Sequence, residues 1–268
     1  MTTEKNIIIV IPIYKETLRD DEAAALEHNL NVLKKYPIVF LKPKGVNTDI
    51  LKKRYPQVGE VEVSQEWLGT KRGIAGYNEM MMSADFYNLF IEYEYLLICQ
   101  TDVWVFRDDL QTWCNKDIDH VAAPWPNRPL YKHFPFKQYL QLKVLLKPSH
   151  KILHCQMFDR IGNGGFCLRR VKVFRDLCLK YAKEIEFYNS QTDPLHNEDI
   201  FWALVPKELK LPTIKEATAF SFDRKLQLCY KINNKQLPMA AHGYNRKHRI
   251  VFWQQFMPKE AFGTKLQS

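Results

Sequence analysis

No CxxC pair occurs in the sequence, and its six cysteines (Cys99, Cys114, Cys155, Cys167, Cys178, Cys229) are widely spaced. Zinc-ribbon spacing and a disulfide framework are therefore not indicated, and the pattern fits reduced, mostly buried thiols of a cytosolic protein. His150 and His154 lie four apart beside Cys155, but the residues between them lack the Glu of a zinc-protease helix, and no second ligand cluster follows. There is also no GxGxxG and no Gly-Lys-Ser/Thr. Gly73 and Gly76 open the stretch 73–82 at a spacing that argues against a dinucleotide fold or a P-loop. The first apolar run, Ile7 to Tyr14, contains Pro12, is too short to span a membrane and ends in no small-residue cleavage site. No repeat, low-complexity tract or clear linker divides the chain, which reads as one domain over residues 1–268.

What is present is a composition that folds. Hydrophobic residues make up 46% and aromatics 13%, enough for a substantial core. A net charge of +9 points to an anionic partner. Part of that charge is concentrated in a basic, aromatic insertion at about 127–157. From Arg128 to Lys151 there are six basic residues and no acid, interleaved with Tyr131, Phe134, Phe136 and Tyr139. Such a segment is either a solvated helix and loop or a surface for a phosphorylated, acidic or lipid-linked acceptor at a membrane. Nucleic acid is not expected, because no recognised binding motif accompanies the charge.

Along the chain, apolar strands alternate with helical stretches. Ile7–Tyr14, 37–41, 61–63, 94–106 and 121–126 read as strands. Helices are expected at about 20–35, 48–54, 73–90, 108–113, 172–188 and after Glu198. This alternation predicts an α/β protein with a mostly parallel central sheet.

Four stretches carry candidate chemistry. In 94–106 the apolar run is broken by a single carboxylate, Asp102, which fits either a turn-forming Asp or a ligand held by a cation. Gly162-Asn163-Gly164-Gly165-Phe166 packs three glycines before an apolar strand, the density expected of tight turns or of backbone pressed against a ligand. Glu198 and Asp199 precede an apolar helix, where the dipole also favours acids without any function. His242 follows two alanines and precedes Gly243, a setting that is often structural. Lys71, Arg72 and Arg169 are candidate phosphate contacts or plain surface charge.

In this order, these stretches resemble the nucleotide-sugar-dependent glycosyltransferases of the GT-A fold, over roughly Ile7 to Trp253. More narrowly, the chain is similar to a bacterial family labelled as a domain of unknown function and related to capsule and lipopolysaccharide transferases of polysaccharide biosynthesis. The resemblance implies a GT-A-like sheet and a metal-assisted, inverting transfer from a nucleotide-diphosphate sugar to a glycan or lipid-linked acceptor. It implies that Asp102 and His242 hold Mn²⁺ or Mg²⁺, with Gln100 standing where such enzymes carry the first acid of D-x-D. Asp199 matches the catalytic base and Glu198 its sugar-binding neighbour. Pro12, Tyr14, Glu16, Asn78, Gln100, Thr101, Asp102, Asn163, Gly164 and Gly165 match the donor site. The implied setting is cytoplasmic, with peripheral contact at the inner face of a membrane through 128–151. A module that binds nucleotide-sugar or glycan without turnover is the alternative reading.

Overall fold

The computed structural model describes residues 5–266. Its strands are β1 (Ile7–Pro12), β2 (Ile38–Pro43), β3 (Gly59–Val63), β4 (Tyr95–Cys99), β5 (Val103–Val105), β6 (His120–Ala122), β7 (Pro124–Trp125), β8 (Arg160–Ile161), β9 (Phe166–Arg170), β10 (Ser221–Phe222) and β11 (Ala240–His242). Six of them form a central sheet in the order β3-β2-β1-β4-β9-β6. A smaller sheet runs β10-β11-β5, and β7 pairs with β8. Every residue of β1 and β4 is buried, as their unbroken apolar runs require of strands covered on both faces. β1 runs parallel to β2 and β4, and β2 parallel to β3, whereas β9 is antiparallel to β4 and β6. The result is an α/β fold whose mixed central sheet is flanked by helices.

This topology fixes where a ligand can bind. From β1 the chain crosses to β2 on one side, while β4 lies on the other. At such a divergence the loops beyond the carboxyl ends part and leave a crevice. Val10 lies opposite Ile98, so Pro12 ends level with Gln100. β9 arrives from the opposite direction, with Phe166 opposite Cys99, which brings the glycine-rich stretch before it to the same edge.

The stretch 94–106, expected as one strand, is two. Val103 N–H donates to the Gln100 carbonyl at 3.1 Å, and the chain turns between β4 and β5. The polar triplet Gln100-Thr101-Asp102 has no place in a strand buried on both faces. The chain therefore leaves the large sheet there and sends Trp104 into a second core with Tyr244 and Trp253. β5 pairs with β11, Val103 opposite His242, which sets Asp102 beside His242. Other expected elements are likewise divided. The helix at 73–90 breaks at Ser83, whose hydroxyl accepts from the Asp85 N–H at 3.1 Å, and the helix at 172–188 breaks at Tyr181. The strand at 121–126 splits into β6 and β7. All six cysteines are free, and Met80, Met81 and Met82 are core. Among the described residues no helix is long and apolar enough to cross a membrane.

One buried side chain on the Asp20–Val32 helix holds β5 in place. The Asn29 amide nitrogen donates to the Val103 carbonyl at 2.7 Å, and its oxygen accepts from Val105 N–H at 2.9 Å. Asn29→Leu would leave both backbone groups buried without a partner. Denaturant unfolding should show a loss of about 2–4 kcal/mol.

Candidate active site

A cavity of about 550 Å³ opens at the carboxyl ends of β1 and β4. Pro12 and Tyr14 enter it from the first loop, and Gln100, Thr101 and Asp102 from the turn after β4. Asn163, Gly164 and Gly165 come from the approach to β9, Glu198 and Asp199 from a helix N-terminus, and Asn78 and His242 complete the expected set. Glu16 is not brought in. It is exposed, outside the lining, and its carboxylate accepts from the Asn47 N–H at 3.2 Å. Asp223, Arg224 and Arg246 line the cavity without having been expected.

Two glycines allow the two halves of the site to meet. A Cβ on Gly164 would lie 2.0 Å from Glu198 Oε1, and one on Gly165 would lie 2.2 Å from His242 Nε2. Any side chain at either position displaces a functional group. Between Gly162 and Gly164, Asn163 takes φ 116°, and its Oδ1 accepts from the Gly165 N–H at 3.1 Å, which fixes this turn.

The acid pair is asymmetric. Glu198 is 3% exposed and accepts from the Arg169 guanidinium at 2.8 Å. Arg169 is wholly buried, donates also to Tyr87 Oη at 2.8 Å and lies over the Phe174 ring. It is therefore the internal counter-charge of Glu198, not a phosphate contact. The other two basic candidates also have partners: Lys71 pairs with Glu66, and Arg72 with Glu79 at 2.6 Å. Asn78 pins the start of the same helix, donating to Asn197 Oδ1 at 2.9 Å and accepting from the Glu198 N–H at 3.2 Å. Asp199 has no such support. Its Oδ1 is buried without a partner, and burial together with the neighbouring Glu198 charge raises its carboxyl to about 7.

Across the cavity, His242 stands between two carboxylates. Nε2 is 3.3 Å from Asp102 Oδ1, and Nδ1 is 3.3 Å from Asp223 Oδ1. Burial opposes the charged imidazolium, but these two acids outweigh it and raise the ring to about 9. Asp223 is itself held by Arg249 at 2.8 Å, and burial of Asp102 is outweighed by His242 and Arg246, which keep its carboxyl below the ordinary range. Asn163 Nδ2 also lies 3.0 Å from Nδ1. Once the ring has lost its second proton, the two neighbours of Nδ1 match two tautomers. Donation from Asn163 places the ring proton on Nε2, facing Asp102. Donation from Nδ1 to Asp223 leaves the Nε2 lone pair free beside Asp102.

The second arrangement fits a divalent cation. Ligands at neighbouring corners of an octahedral ion, each at about 2.1 Å, lie about 3.0 Å apart, close to the Asp102–His242 separation of 3.3 Å. Asp223 then supplies the carboxylate behind the imidazole that metal-bound histidines usually have. No group of three or more His, Cys, Asp or Glu side chains suited to a metal exists among the described residues. Two protein ligands suit an ion completed by a diphosphate and water, not one caged by protein. Arg246 faces the cavity near Asp102 and forms no ion pair within 4.0 Å among the described residues, which leaves its guanidinium available to a phosphate.

Residues 59–242 match the family model described as "Protein of unknown function (DUF5672)". No curated protein matches the sequence. Among solved structures, the apo bifunctional glycosyltransferase WbbM aligns with a TM-score of 0.54 at 12% identity, over 90% of this chain and 46% of that one. Glycosyltransferase GlyE of Streptococcus pneumoniae TIGR4 aligns with 0.52 at 13% identity, over 96% of this chain and 61% of that one. Galactosyltransferase LgtC in complex with donor and acceptor sugar analogs aligns with 0.50 at 14% identity, over 88% and 86%. The fold is that of the GT-A glycosyltransferases.

Because the ring of His242 fills the space beside Gly165, Gly165→Ala should push it away from Asp102. Calorimetric titration with a nucleoside diphosphate and Mn²⁺ should show affinity reduced roughly 10–100-fold, the size typical of disturbed metal-ligand support. The circular dichroism spectrum should be unchanged.

Proposed function

We propose that this chain, which belongs to the DUF5672 family, moves a sugar from a nucleotide-diphosphate donor to a hydroxyl of a glycan or lipid-linked acceptor. Asp199 is the base and the anomeric centre is inverted. The observation that carries this reading is the contrast between adjacent carboxylates: Glu198 is locked by Arg169, whereas Asp199 forms no ion pair among the described residues, and burial with the Glu198 charge outweighs the Arg224 charge and raises its carboxyl to about 7. A general base works best when its pKa lies near the working pH. A structural acid pair would have both charges compensated.

The residues divide the work as follows. Pro12 and Tyr14 face the nucleoside, and Arg246 with Gln100 and Thr101 faces the diphosphate. Asn163, Gly164, Gly165 and Glu198 Oε1 hold the donor sugar between backbone and carboxylate. Asp199 accepts the acceptor hydroxyl proton as that oxygen bonds to the anomeric carbon, and the carbon–oxygen bond to the diphosphate breaks. Asp102 and His242 would hold Mn²⁺ or Mg²⁺, which when bound neutralises the charge growing on the departing diphosphate. Gln100, in place of an acid, leaves one carboxylate on the ion and accounts for a site that needs the nucleotide to complete it. The acceptor is read as part of a surface polysaccharide, assembled at the cytoplasmic face of a bacterial membrane that segment 128–151 touches.

Asp199→Asn should lower transfer or donor hydrolysis by roughly 10²–10⁴-fold while donor affinity is retained. Equal turnover in the Asn variant would refute the role of Asp199. In the wild type, kcat/KM should rise with pH through about 7 and then level, as Asp199 loses its proton.

The same group has a stability signature of the opposite sense. Its folded value of about 7 lies above the ordinary 3.8, so between those values the folded chain holds a proton that the unfolded chain has released. Stability therefore falls as pH rises through this window. Thermal unfolding of Asp199→Asn should gain on the wild type from pH 5 to pH 7, on the order of 1 kcal/mol per pH unit.

A further inference from the structure

The Phe136–Leu145 helix has no buried residue, although Phe136, Tyr139, Leu140, Leu142, Val144 and Leu145 are among its ten. Leu145 is 78% exposed and, just outside the helix, Phe134 is 80% exposed. A helix so apolar and so uncovered is one that something else covers. Between it and the body lies a groove of about 890 Å³. Lys137, Leu140, Gln141, Val144 and Leu145 form one wall, the i, i+3, i+4, i+7 and i+8 positions of a single helix face. Phe158, Arg160, Leu204 and Lys207 lie across from it.

The charges in this groove are unbalanced. Lys137, Arg160 and Lys207 have no acidic partner among the described residues. Asp159, the one acid in the lining, is committed to Lys132 at 3.2 Å and to the Asn127 N–H at 2.8 Å. Burial and the nearby Arg160 charge hold the Lys207 ammonium below its ordinary value, so a negative charge there would be welcome. The occupant must therefore be an anion attached to something apolar. A second copy of this chain would set one cationic face against another, because a two-fold contact repeats the same surface on both sides.

We infer that this groove takes the phosphate of an anionic lipid, and that the apolar side chains of Phe134, Tyr139, Leu142 and Leu146 enter the bilayer around it. Basic side chains near an anionic leaflet and shallow apolar insertion reinforce one another. The inference specifies the membrane contact named above but does not rest on sugar transfer. None of these residues lines the cavity at Asp102.

The test is flotation of the full chain with vesicles of phosphatidylcholine containing about 30 mol % phosphatidylglycerol, against phosphatidylcholine alone. The wild type should float only with the anionic vesicles. Lys137→Glu, Arg160→Glu and Lys207→Glu combined should weaken binding roughly 100-fold, and Leu142→Ser with Leu146→Ser should weaken it too. Donor hydrolysis without vesicles should be unchanged in both variants, which also reports that they are folded. Equal flotation with neutral vesicles, retention by the charge-reversed variant, displacement by millimolar inorganic phosphate, or a stable dimer in light scattering would each overturn the inference. Absent donor hydrolysis in the wild type would instead count against the transferase reading and leave the flotation result standing.

Discussion

A carboxylate taken out of water must meet a cation or surrender its charge, and the cavity at the carboxyl ends of β1 and β4 is lined by five of them. Four are compensated from behind. Glu22 meets Lys15 and Arg19, Glu198 meets Arg169, Asp223 meets Arg249, and Asp102 shares His242 with Asp223. Asp199 forms no ion pair among the described residues, and its carboxyl rises to about 7. The transfer proposed above assigns roles along this distribution: the ion-paired acids position and bind, and the unpaired one moves a proton.

The fold delivers these charges through strand ends. β4 and β9 are antiparallel neighbours, so the turn after one and the glycines before the other share an edge. β5 is carried into a second sheet, where pairing with β11 sets His242 opposite Val103 and next to Asp102. Glu198 and His242 can then pack directly against backbone, because Gly164 and Gly165 carry no side chain there. The positive groove beneath the Phe136–Leu145 helix stands apart from this arrangement, and none of its lining residues lines the cavity at Asp102.

Much of this was legible in the sequence where the signal is local. The apolar runs of β1 and β4, the lone Asp102 within one of them, the glycine cluster and the Glu198-Asp199 pair all mark the cavity. Signals that depend on tertiary pairing were not legible. Asp223 follows a strand of only two residues, and its partners Arg249 and His242 are distant in sequence, so nothing near it marks it as buried. Arg169 reads as an exposed cation because a single sequence does not show that Tyr87, Phe174 and Glu198 enclose it. Glu16 lies near Pro12 in sequence, yet the loop turns it outward to Asn47. The turn at Gln100–Val103 was hidden because apolar residues resume at once on its far side.

The central claim is that the cavity binds a nucleoside diphosphate through a cation shared by Asp102 and His242. Titration calorimetry of the wild-type chain with GDP and with UDP, each with and without Mn²⁺, addresses it directly. The account predicts that one nucleotide binds at one site per chain with Mn²⁺ and at least roughly tenfold more weakly without it. Binding of neither nucleotide in the presence of metal, or affinity indifferent to metal, would contradict it.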